Sequence, residues 1–448
     1  MRAGLLVIAL RTALFVFLPS TSWAQFLSGQ GDPLNLPLPL QFDFINPGAR
    51  SLALGGTFIG LADDATSAST NPAGLAQLSR LEFSVEGRYR TLFTNFLAGG
   101  RLTGEITKIG IDTINGPFFD ETSENLAGLS FLSVVYPRQQ WTIAGYRQEG
   151  ARVRRNATIN GAFFSGEDFL EGSDLRQIPG LAFVEANIVH YGSSFAVRVG
   201  KVSAGAGVSL SRLDYSARYQ GFDFDATFPA FYEAASFTSA PLFEEVQVGD
   251  DWGVGAVAGV MVYPTYKIQI GASYRRGARF DFSGAIRSGV PELQPMPDSY
   301  AGKFTIPDVV GVGVALRPVD GLIIVLDVDR VKYSALNDFV RSQIVFEPDE
   351  RDLYAVPDAT EIHVGGEYLI TRWPLRPAVR VGFWNEGDHS VTYSGGGLLS
   401  GASDALAHDV RHYSVGGGVP FSRKVELNGG YEWSERANLI SLSMIFRF

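Results

Sequence analysis

Four arginines are placed where they could bind an anion. Arg88, Arg90, Arg275 and Arg380 each lie in a segment where side chains alternate in polarity, and each falls on the more polar side. A guanidinium binds a carboxylate through two parallel hydrogen bonds, and an apolar tunnel beside it would hold a hydrocarbon tail. These arginines are therefore candidate ligand-binding residues for a long-chain acid.

Carboxylates on the same side of these segments offer the arginines a second role. Ion pairs between the two sets would only tune or stiffen a pore, and for any single arginine this is the more common outcome. The carboxylates are Glu82, Glu86, Asp327, Asp329, Glu361 and Glu367. Aromatic residues of the loops, such as Phe118, Phe163 and Phe228, likewise have two possible roles. They could form an outer hydrophobic groove that binds a ligand, or they could pack in small cores within the loops.

Other residues give little sign of catalysis. His408, Asp409 and His412 could form an acid–base or metal cluster, but no nucleophile motif accompanies them. The glycine-rich runs match neither a phosphate loop nor a dinucleotide fingerprint. The chain contains no Cys, which removes thiolate catalysis and Cys-ligated metals. The sequence therefore predicts a protein that is not an enzyme and uses no cofactor.

The segments that must position these residues have the pattern of β-strands. In 438–448, every second residue from Ile440 to Phe448 is apolar, which makes one face wholly apolar. In 81–91, every second residue from Glu82 to Arg90 is charged or carries a hydroxyl group. That face requires water or ionic partners, which the lumen of a membrane barrel supplies, while lipid covers the other face.

Fourteen segments of this kind follow residue 80, at 81–91, 126–137, 140–150, 182–198, 201–215, 248–263, 266–282, 302–317, 321–334, 359–371, 376–386, 409–420, 424–434 and 438–448. Tight connections alternate with mostly long ones, which are expected at 92–125, 151–181, 216–247, 283–301, 335–358 and 387–408. Transmembrane barrels show this asymmetry, with short periplasmic turns and long outer loops. The predicted fold is an all-β, 14-stranded antiparallel transmembrane barrel.

A soluble β-sandwich is the main alternative fold, because it also uses alternating strands. Many of the segments, however, exceed the usual strand length of about five to six residues. Tyr274, Tyr368, Trp433 and Phe448 also lie near segment ends, where membrane barrels carry aromatic girdles. Both features favour the membrane barrel.

Composition agrees with export to an outer membrane. The mean hydropathy of +0.07 is too polar for a helical membrane protein but typical of a barrel. A formal net charge of −10 argues against nonspecific binding to nucleic acid. Residues 1–24 have the pattern of a secretory signal peptide, with Arg2, an apolar stretch from Leu5 to Leu18, and small residues before a cleavage site after Ala24.

Residues 25–80 lack the strand pattern. The stretch Gly48–Leu78 mixes small residues with the carboxylate pair Asp63-Asp64 and the turn former Asn71-Pro72. The order ADDA (62–65) followed by NPA (71–73), just before a first strand, resembles the N-terminal hatch of FadL-type transporters. The string GARSLALGG that precedes them is also similar to the start of PorV-like barrels, which share the fold and serve a secretion system.

The FadL resemblance implies a hatch at 25–80 inside a barrel of 81–448, in the bacterial outer membrane. The hatch and gating residues that match the family motif are Asp63, Asp64, Asn71, Pro72 and Ala73. In the family, a hydrophobic ligand is captured from outside and leaves sideways through a gap at a kink in the third strand. Gly145 is the candidate for that gap, and its other possible role is simply to pack against a neighbour.

The predicted function is passive, ligand-gated diffusion of hydrophobic compounds, such as long-chain fatty acids or aromatic hydrocarbons. The expected partners are the ligand, outer-membrane lipids and, through the terminal Phe448, the barrel assembly machinery. A barrel that binds or shuttles secreted proteins, as PorV-like barrels do, is the first alternative. A general porin is the second.

Overall fold

The computed structural model describes residues 46–165, 174–289, 299–342, 348–395 and 407–448. The predicted signal peptide, 1–24, and the first part of the predicted hatch, 25–45, lie outside the described residues.

Strands dominate this part of the chain. They are β1 (Glu82–Arg101), β2 (Gly116–Pro137), β3 (Trp141–Ile159), β4 (Phe163–Ser165), β5 (Asp174–Arg176), β6 (Gly180–Val199), β7 (Val202–Gly221), β8 (Phe243–Thr265), β9 (Ile268–Arg276), β10 (Arg279–Ser288), β11 (Ser299–Thr305), β12 (Val309–Leu316), β13 (Leu322–Val331), β14 (Tyr354–Ala355), β15 (Ala359–Leu369), β16 (Ala378–Glu386), β17 (Thr392–Tyr393), β18 (Val410–Pro420), β19 (Val425–Trp433) and β20 (Ala437–Arg447). Three short α-helices are α1 (Ala49–Ala53), α2 (Ser67–Thr70) and α3 (Asn337–Ser342), and a 3-10 helix spans Pro72–Gln77. No helix among the described residues is long and apolar enough to cross a membrane.

The strands close into a cylinder. β9 and β10 act as one wall strand with a short interruption, as do β11 and β12, and the short strands β4, β5, β14 and β17 belong to the outer loops. Each wall strand pairs antiparallel with the next, and β20 pairs with β19 on one side and with β1 on the other. The wall therefore has 14 strands, which confirms the predicted barrel.

Side-chain exposure follows the predicted alternation. On β1, Glu82, Glu86 and Arg90 are buried on the inner face, whereas the intervening Tyr89 is 44% exposed on the outer face. On β20, Ser441 is fully buried and Leu442 is 67% exposed. An apolar outside and a polar inside are what a bilayer requires of a spanning barrel.

Several strands are longer than the sequence pattern indicates. The β1–β2 ladder continues from Thr91↔Asn125 to Gly100↔Pro117, through a region predicted to be loop. Likewise β3 reaches Ile159 and β7 reaches Gly221. Above the bilayer lipid no longer covers the outer face, so the polarity of the two faces changes while backbone pairing continues: on β3, Ala151, Val153 and Ala157 are buried inside, whereas Arg154 and Asn156 are exposed outside.

Two of the described segments fill space inside the cylinder. Residues 46–80 lie inside the lumen, where α1 packs on β16, β18, β19 and β20 and the 3-10 helix packs on β6, β7 and β8. Nearer the outside, α3 and its flanking loop bury Tyr333, Leu336 and Phe339 against inward side chains of the wall. We call residues 46–80 the lumenal segment and residues 333–342 the outer lid.

Candidate functional site inside the barrel

Inward carboxylates of the wall hold the backbone of the lumenal segment. Both oxygens of Asp327 are engaged: Oδ2 accepts hydrogen bonds from the amides of Phe58 and Ile59, at 2.6 and 2.7 Å, and Oδ1 accepts one from Gly60 at 3.2 Å. Glu86 accepts a hydrogen bond from the Gly48 amide at 2.8 Å. A carboxylate that receives backbone N–H groups forms stronger, charge-assisted hydrogen bonds, so these contacts fix the segment in one position.

The predicted hatch residue Asp63 takes part in an ionic network with the wall. Arg50 Nη1 donates to Asp63 Oδ1 at 2.6 Å, and Arg50 Nε donates to Glu367 at 2.8 Å. Arg380 donates to the same Glu367 oxygen at 2.6 Å and to Asn428 at 2.8 Å. The network therefore joins the lumenal segment to β15, β16 and β19, and it occupies the Arg380 side chain.

Asp64 has a local role instead. Its Oδ1 accepts hydrogen bonds from the backbone and the hydroxyl of Thr66, at 2.8 and 2.6 Å, which starts the turn before α2. Burial raises the pKa of Asp64 to about 6, although the charge of Arg50 opposes this rise. Asp64 thus shapes the segment without bonding the wall.

Asn71, Pro72 and Ala73 seat the segment against the opposite wall. Asn71 Nδ2 donates to the carbonyl of Ile59 at 3.0 Å and approaches that of Val260 at 3.5 Å. Pro72 occupies the first turn of the 3-10 helix, where its missing N–H is no loss, and Ala73 is fully buried. The side-chain amide of Asn71 therefore ties two parts of the segment together at the surface of β8.

Inward-facing glycines of the wall make room for this seat. A Cβ atom at Gly382 would lie 2.0 Å from the Gly55 amide nitrogen, and one at Gly313 would lie 2.6 Å from that of Gly60. The glycines that meet the segment this closely are Gly205, Gly259, Gly271, Gly311, Gly313, Gly365, Gly382, Gly416 and Gly430. We call them the glycine ring. The sequence reasoning missed it, although its signal was present as mid-strand glycines on the inward side.

The other three candidate arginines also point inward but differ in their partners. Arg88 donates to Glu86 at 2.8 Å, and Arg90 donates to Glu149 at 3.0 Å. Arg275 makes no ion pair within the described part of the chain, and its Nη1 donates a long hydrogen bond of 3.4 Å to Asn46 Oδ1. Of the four arginines, Arg275 is therefore the one that no carboxylate binds directly among the described residues, although the charge of the inward Asp329 acts on it from further away.

Arg275 lines a cavity of about 90 Å³ above α2. Polar groups such as Tyr146, Gln148 and His190 share its wall with apolar ones. The further lining residues are Ser69, Gly150, Ala151, Ile188, Ser209, Ser211, Gly255, Ala256, Val257, Arg276, Gly277, Ala278, Ile306, Pro307 and Val309. A cation beside a partly apolar space suits an amphipathic ligand.

The wall beside this cavity is incomplete. β2 and β3 pair only from Phe131↔Gln148 to Pro137↔Thr142, although β2 continues to Gly116 and β3 to Ile159. Bulges occur in both strands where the pairing stops, at Ser130 and Gly150. We call the unpaired part, 116–130 beside 149–159, the β2–β3 seam.

Side chains rather than backbone bridge the β2–β3 seam. Arg152 Nη1 donates to the carbonyl of Ala127 at 2.8 Å, and Asn156 donates to Glu124 at 2.8 Å. The paired part below it rises roughly 15 Å at the usual strand rise and tilt, against an apolar band about 25 Å tall. By this measure the unpaired part begins in the outer half of the membrane.

Gly145, the residue singled out for a lateral gap, lies within the continuous ladder. It pairs with Val134 of β2 and Ser193 of β6. A Cβ atom there would meet nothing within 4 Å. The interruption lies further along the same strand, at Gly150.

The outer loops use most of their aromatic side chains in cores of their own. Phe163 is fully buried between the guanidinium groups of Arg101 and Arg176 and packs on Tyr232. Arg101 in turn binds Asp112 through several hydrogen bonds, the shortest 2.6 Å. Among these aromatics, Phe228 is 74% exposed. The packing role therefore applies to Phe163, whereas Phe228 is available to solvent.

The three residues of the predicted acid–base or metal cluster, His408, Asp409 and His412, do not converge on a common site. His408 is exposed and contacts Glu435, whereas His412 is buried inside the wall between Glu386 and Glu432, at 3.0 and 3.1 Å. Asp409 instead accepts a hydrogen bond from Asn385 at 2.9 Å. Within the described ranges, no group of three such side chains has the geometry to hold a metal ion.

Comparison with known proteins agrees with this architecture. Residues 185–381 match a family described as "Outer membrane protein transport protein (OMPP1/FadL/TodX)". No curated protein sequence matches the chain.

Solved structures share the fold at low identity. A FadL homologue of Pseudomonas aeruginosa is 13% identical, with a TM-score of 0.63, over 92% of this chain and 100% of that one. The monoaromatic hydrocarbon channel CymD is 14% identical, with a TM-score of 0.55, over 91% and 99%. The toluene transporter TodX of P. putida is 14% identical, with a TM-score of 0.54, over the same shares.

Proposed function

Since this chain is a FadL-like barrel of the bacterial outer membrane, of the type that transports hydrophobic compounds, we propose that it admits amphipathic acids with a hydrocarbon tail. The observation that carries the proposal is the lumenal cavity, whose wall includes Arg275, a cation without an ion pair among the described residues. A carboxylate would pair with Arg275, and the tail would lie along Ile188, Val257 and Val309.

The ligand leaves sideways through the β2–β3 seam. Gly150 belongs both to the cavity lining and to the interruption in strand pairing, so a ligand in the cavity lies beside the gap. Below the cavity, the glycine ring and Asp327 hold the lumenal segment against the wall. Exit into the membrane therefore needs movement of the side chains that bridge the seam, which include Arg147, Arg152 and Asn156, whereas exit to the periplasm needs the segment to move.

The lumenal segment acts as the hatch. Asp63 and Asn71 supply polar contacts that can break and reform, and Asp64, Pro72 and Ala73 keep the segment compact. A general porin would need an open aqueous channel, which the buried segment does not leave. A PorV-like barrel that binds or shuttles secreted proteins is the alternative function, and an uptake experiment distinguishes it from a transporter.

Uptake by vesicles that contain the purified barrel tests the proposal. We expect oleate to enter and arabinose to stay out, and Arg275→Gln to slow oleate uptake about 10-fold or more, because a charge-assisted hydrogen bond contributes roughly 1.5–3 kcal/mol. Uptake of toluene, which has no carboxylate, should change little. Arg330→Gln, which removes an exposed cation from the outer face of β13, is the matched control.

Three results would contradict the proposal. Entry of arabinose without oleate would indicate a porin. Entry of neither compound, together with secreted proteins that co-purify with the barrel, would indicate the shuttle. Equal loss of oleate and toluene uptake in Arg275→Gln would show that Arg275 shapes the pore without recognising a carboxylate.

A further inference from the structure

The periplasmic end of the barrel is basic, although the whole chain is acidic. The turns at this end are 138–140, 200–201, 266–267, 317–321, 370–377 and 421–424. Each contains at least one Arg or Lys, and Asp320 is the sole acidic residue in their sequences. The cations are Arg138, Lys201, Lys267, Arg317, Arg372, Arg376, Arg423 and Lys424. We call these eight side chains the basic rim.

Positive charge on the basic rim is not neutralised within the protein. All of its members are exposed except Arg317, which is partly buried. The polar contacts that they make go to backbone, as when Lys201 Nζ donates to the carbonyl of Pro264 at 2.8 Å. Within the described residues none of the eight forms an ion pair, whereas most charged side chains of the lumen are paired with opposite charges.

Aromatic residues place the basic rim at the membrane interface. The Arg138 guanidinium lies 4.7 Å from the ring centre of Tyr136, and Lys267 Nζ lies 5.7 Å from that of Tyr266. Trp373, which is 54% exposed, follows Arg372 in the longest of the turns. Tyr and Trp prefer the headgroup level of a bilayer, so the neighbouring cations lie at the depth of lipid phosphates.

We propose that the basic rim binds anionic phospholipid headgroups of the periplasmic leaflet. Its distribution favours lipid over a partner protein, because the six turns occupy the whole circumference of the barrel. A docked protein would cover only one arc, whereas lipid surrounds every turn. Arg and Lys close to an anionic lipid surface are each attracted to it, and Arg can bind a phosphate through two hydrogen bonds.

Quenching of Trp373 fluorescence by brominated lipid measures this binding. The parent protein would have Trp141, Trp252 and Trp433 replaced by Phe. Trp384 stays in place, but it is buried inside the barrel, where brominated lipid does not reach it, so the quenched part of the signal comes from Trp373. In vesicles of phosphatidylglycerol and phosphatidylcholine, we expect roughly five- to thirtyfold preferential association of phosphatidylglycerol, the factor for one or two cations per headgroup at about 1 kcal/mol each. Raising the salt concentration to about 0.5 M should reduce this preference, because exposed charges are screened.

Variants that lack selected cations show which part of the barrel causes the preference for phosphatidylglycerol. Replacing Arg372, Arg376, Arg423 and Lys424 by Gln should bring the ratio of the two lipids close to one. Replacing Lys108, Arg287, Lys303 and Lys332 by Gln removes as many exposed cations from the outer half of the barrel and should leave the ratio unchanged. Heat-dependent gel migration checks that each variant is folded.

Either of two results would overturn the proposal. Equal association of the two lipids with the parent protein would show that the basic rim does not bind anionic lipid, and would favour a soluble acidic partner. An unchanged preference in the variant at 372, 376, 423 and 424 would show that other groups attract the lipid. If that variant does not fold, the salt dependence decides instead: a preference of the parent protein for phosphatidylglycerol that salt does not reduce would also overturn the proposal.

Discussion

At the scale of single residues, the lumen is organised by two opposite kinds of side chain. Charged groups such as Asp327 and Glu367 reach from the wall into the lumenal segment and bond it. Glycines such as Gly382 and Gly313 carry no Cβ atom, so the backbone of the segment can approach the wall closely there. The position of the segment results from both, because hydrogen bonds of ordinary length form only where no Cβ intervenes.

Adding one methyl group to the glycine ring should displace the lumenal segment. In Gly382→Ala, the new Cβ would overlap the Gly55 amide nitrogen, and both groups belong to backbone that cannot rotate away. We expect higher ion conductance in planar bilayers and a loss of roughly 1–3 kcal/mol in stability, as for other overpacked sites. Gly145→Ala is the control, since its Cβ meets nothing within 4 Å. Equal conductance of the two variants would show that the ring does not seat the segment.

At the scale of elements, β2 and β3 form the weak line of the wall. Other neighbouring pairs, such as β6 with β7, are joined over their whole length, from Gly180↔Gly221 to Val199↔Val202. β2 and β3 separate because each has an extra residue at the same height, and a bulge disrupts the ladder locally and bends its strand. Polar side chains then replace the missing backbone bonds.

A covalent cross-link across the β2–β3 seam should close the lateral route. The chain has no Cys of its own, so Ala127→Cys with Arg152→Cys would place one pair of thiols across the seam. A short bis-methanethiosulfonate reagent, which tolerates a wider separation than a direct disulfide, would span the gap that the Arg152 side chain now bridges. We expect the cross-link to stop oleate uptake and reduction to restore it. The pair Val134→Cys and Gly145→Cys, which lies within the intact ladder, should keep its oleate uptake after the same treatment. Uptake that continues through the cross-linked 127–152 variant would refute lateral exit.

At the scale of the whole molecule, the barrel is completed by its last strand. β20 closes the cylinder on β1, and the Phe448 amide donates to the carbonyl of Leu81 at 2.9 Å. The Phe448 side chain itself is 68% exposed. Because the ring contributes little packing to the finished barrel, we propose that it serves recognition by the barrel assembly machinery.

Phe448→Ser should therefore impair assembly in cells more than stability in vitro. We expect several-fold less barrel in outer-membrane fractions, while the refolded variant keeps the heat-dependent gel shift of the parent protein. Phe421→Ser is the control, because Phe421 is also an aromatic residue of the periplasmic end and is 62% exposed. Equal amounts of the two variants in the membrane would argue against a signal at Phe448.

The sequence alone was sufficient to predict the strands that form the wall of the barrel and the side of each strand that faces inward. Lipid outside and water inside impose a polarity on every second residue, so each strand reveals itself within about ten residues of its own sequence. For this reason the inward direction of Arg88, Arg90, Arg275 and Arg380 was predictable. The upper parts of β1, β2 and β3 were not, because lipid no longer enforces the alternation there.

Only the tertiary structure decided which inward groups meet. Asp327 bonds Phe58 across 269 residues, and Arg50 bonds Glu367 across 317. Such contacts depend on the relative register of many strands and on where the lumenal segment sits, neither of which is recorded in a local pattern. The same reason explains why Arg275, alone among the four arginines, lines the cavity, and why backbone pairing between β2 and β3 stops beside Gly150 rather than at Gly145.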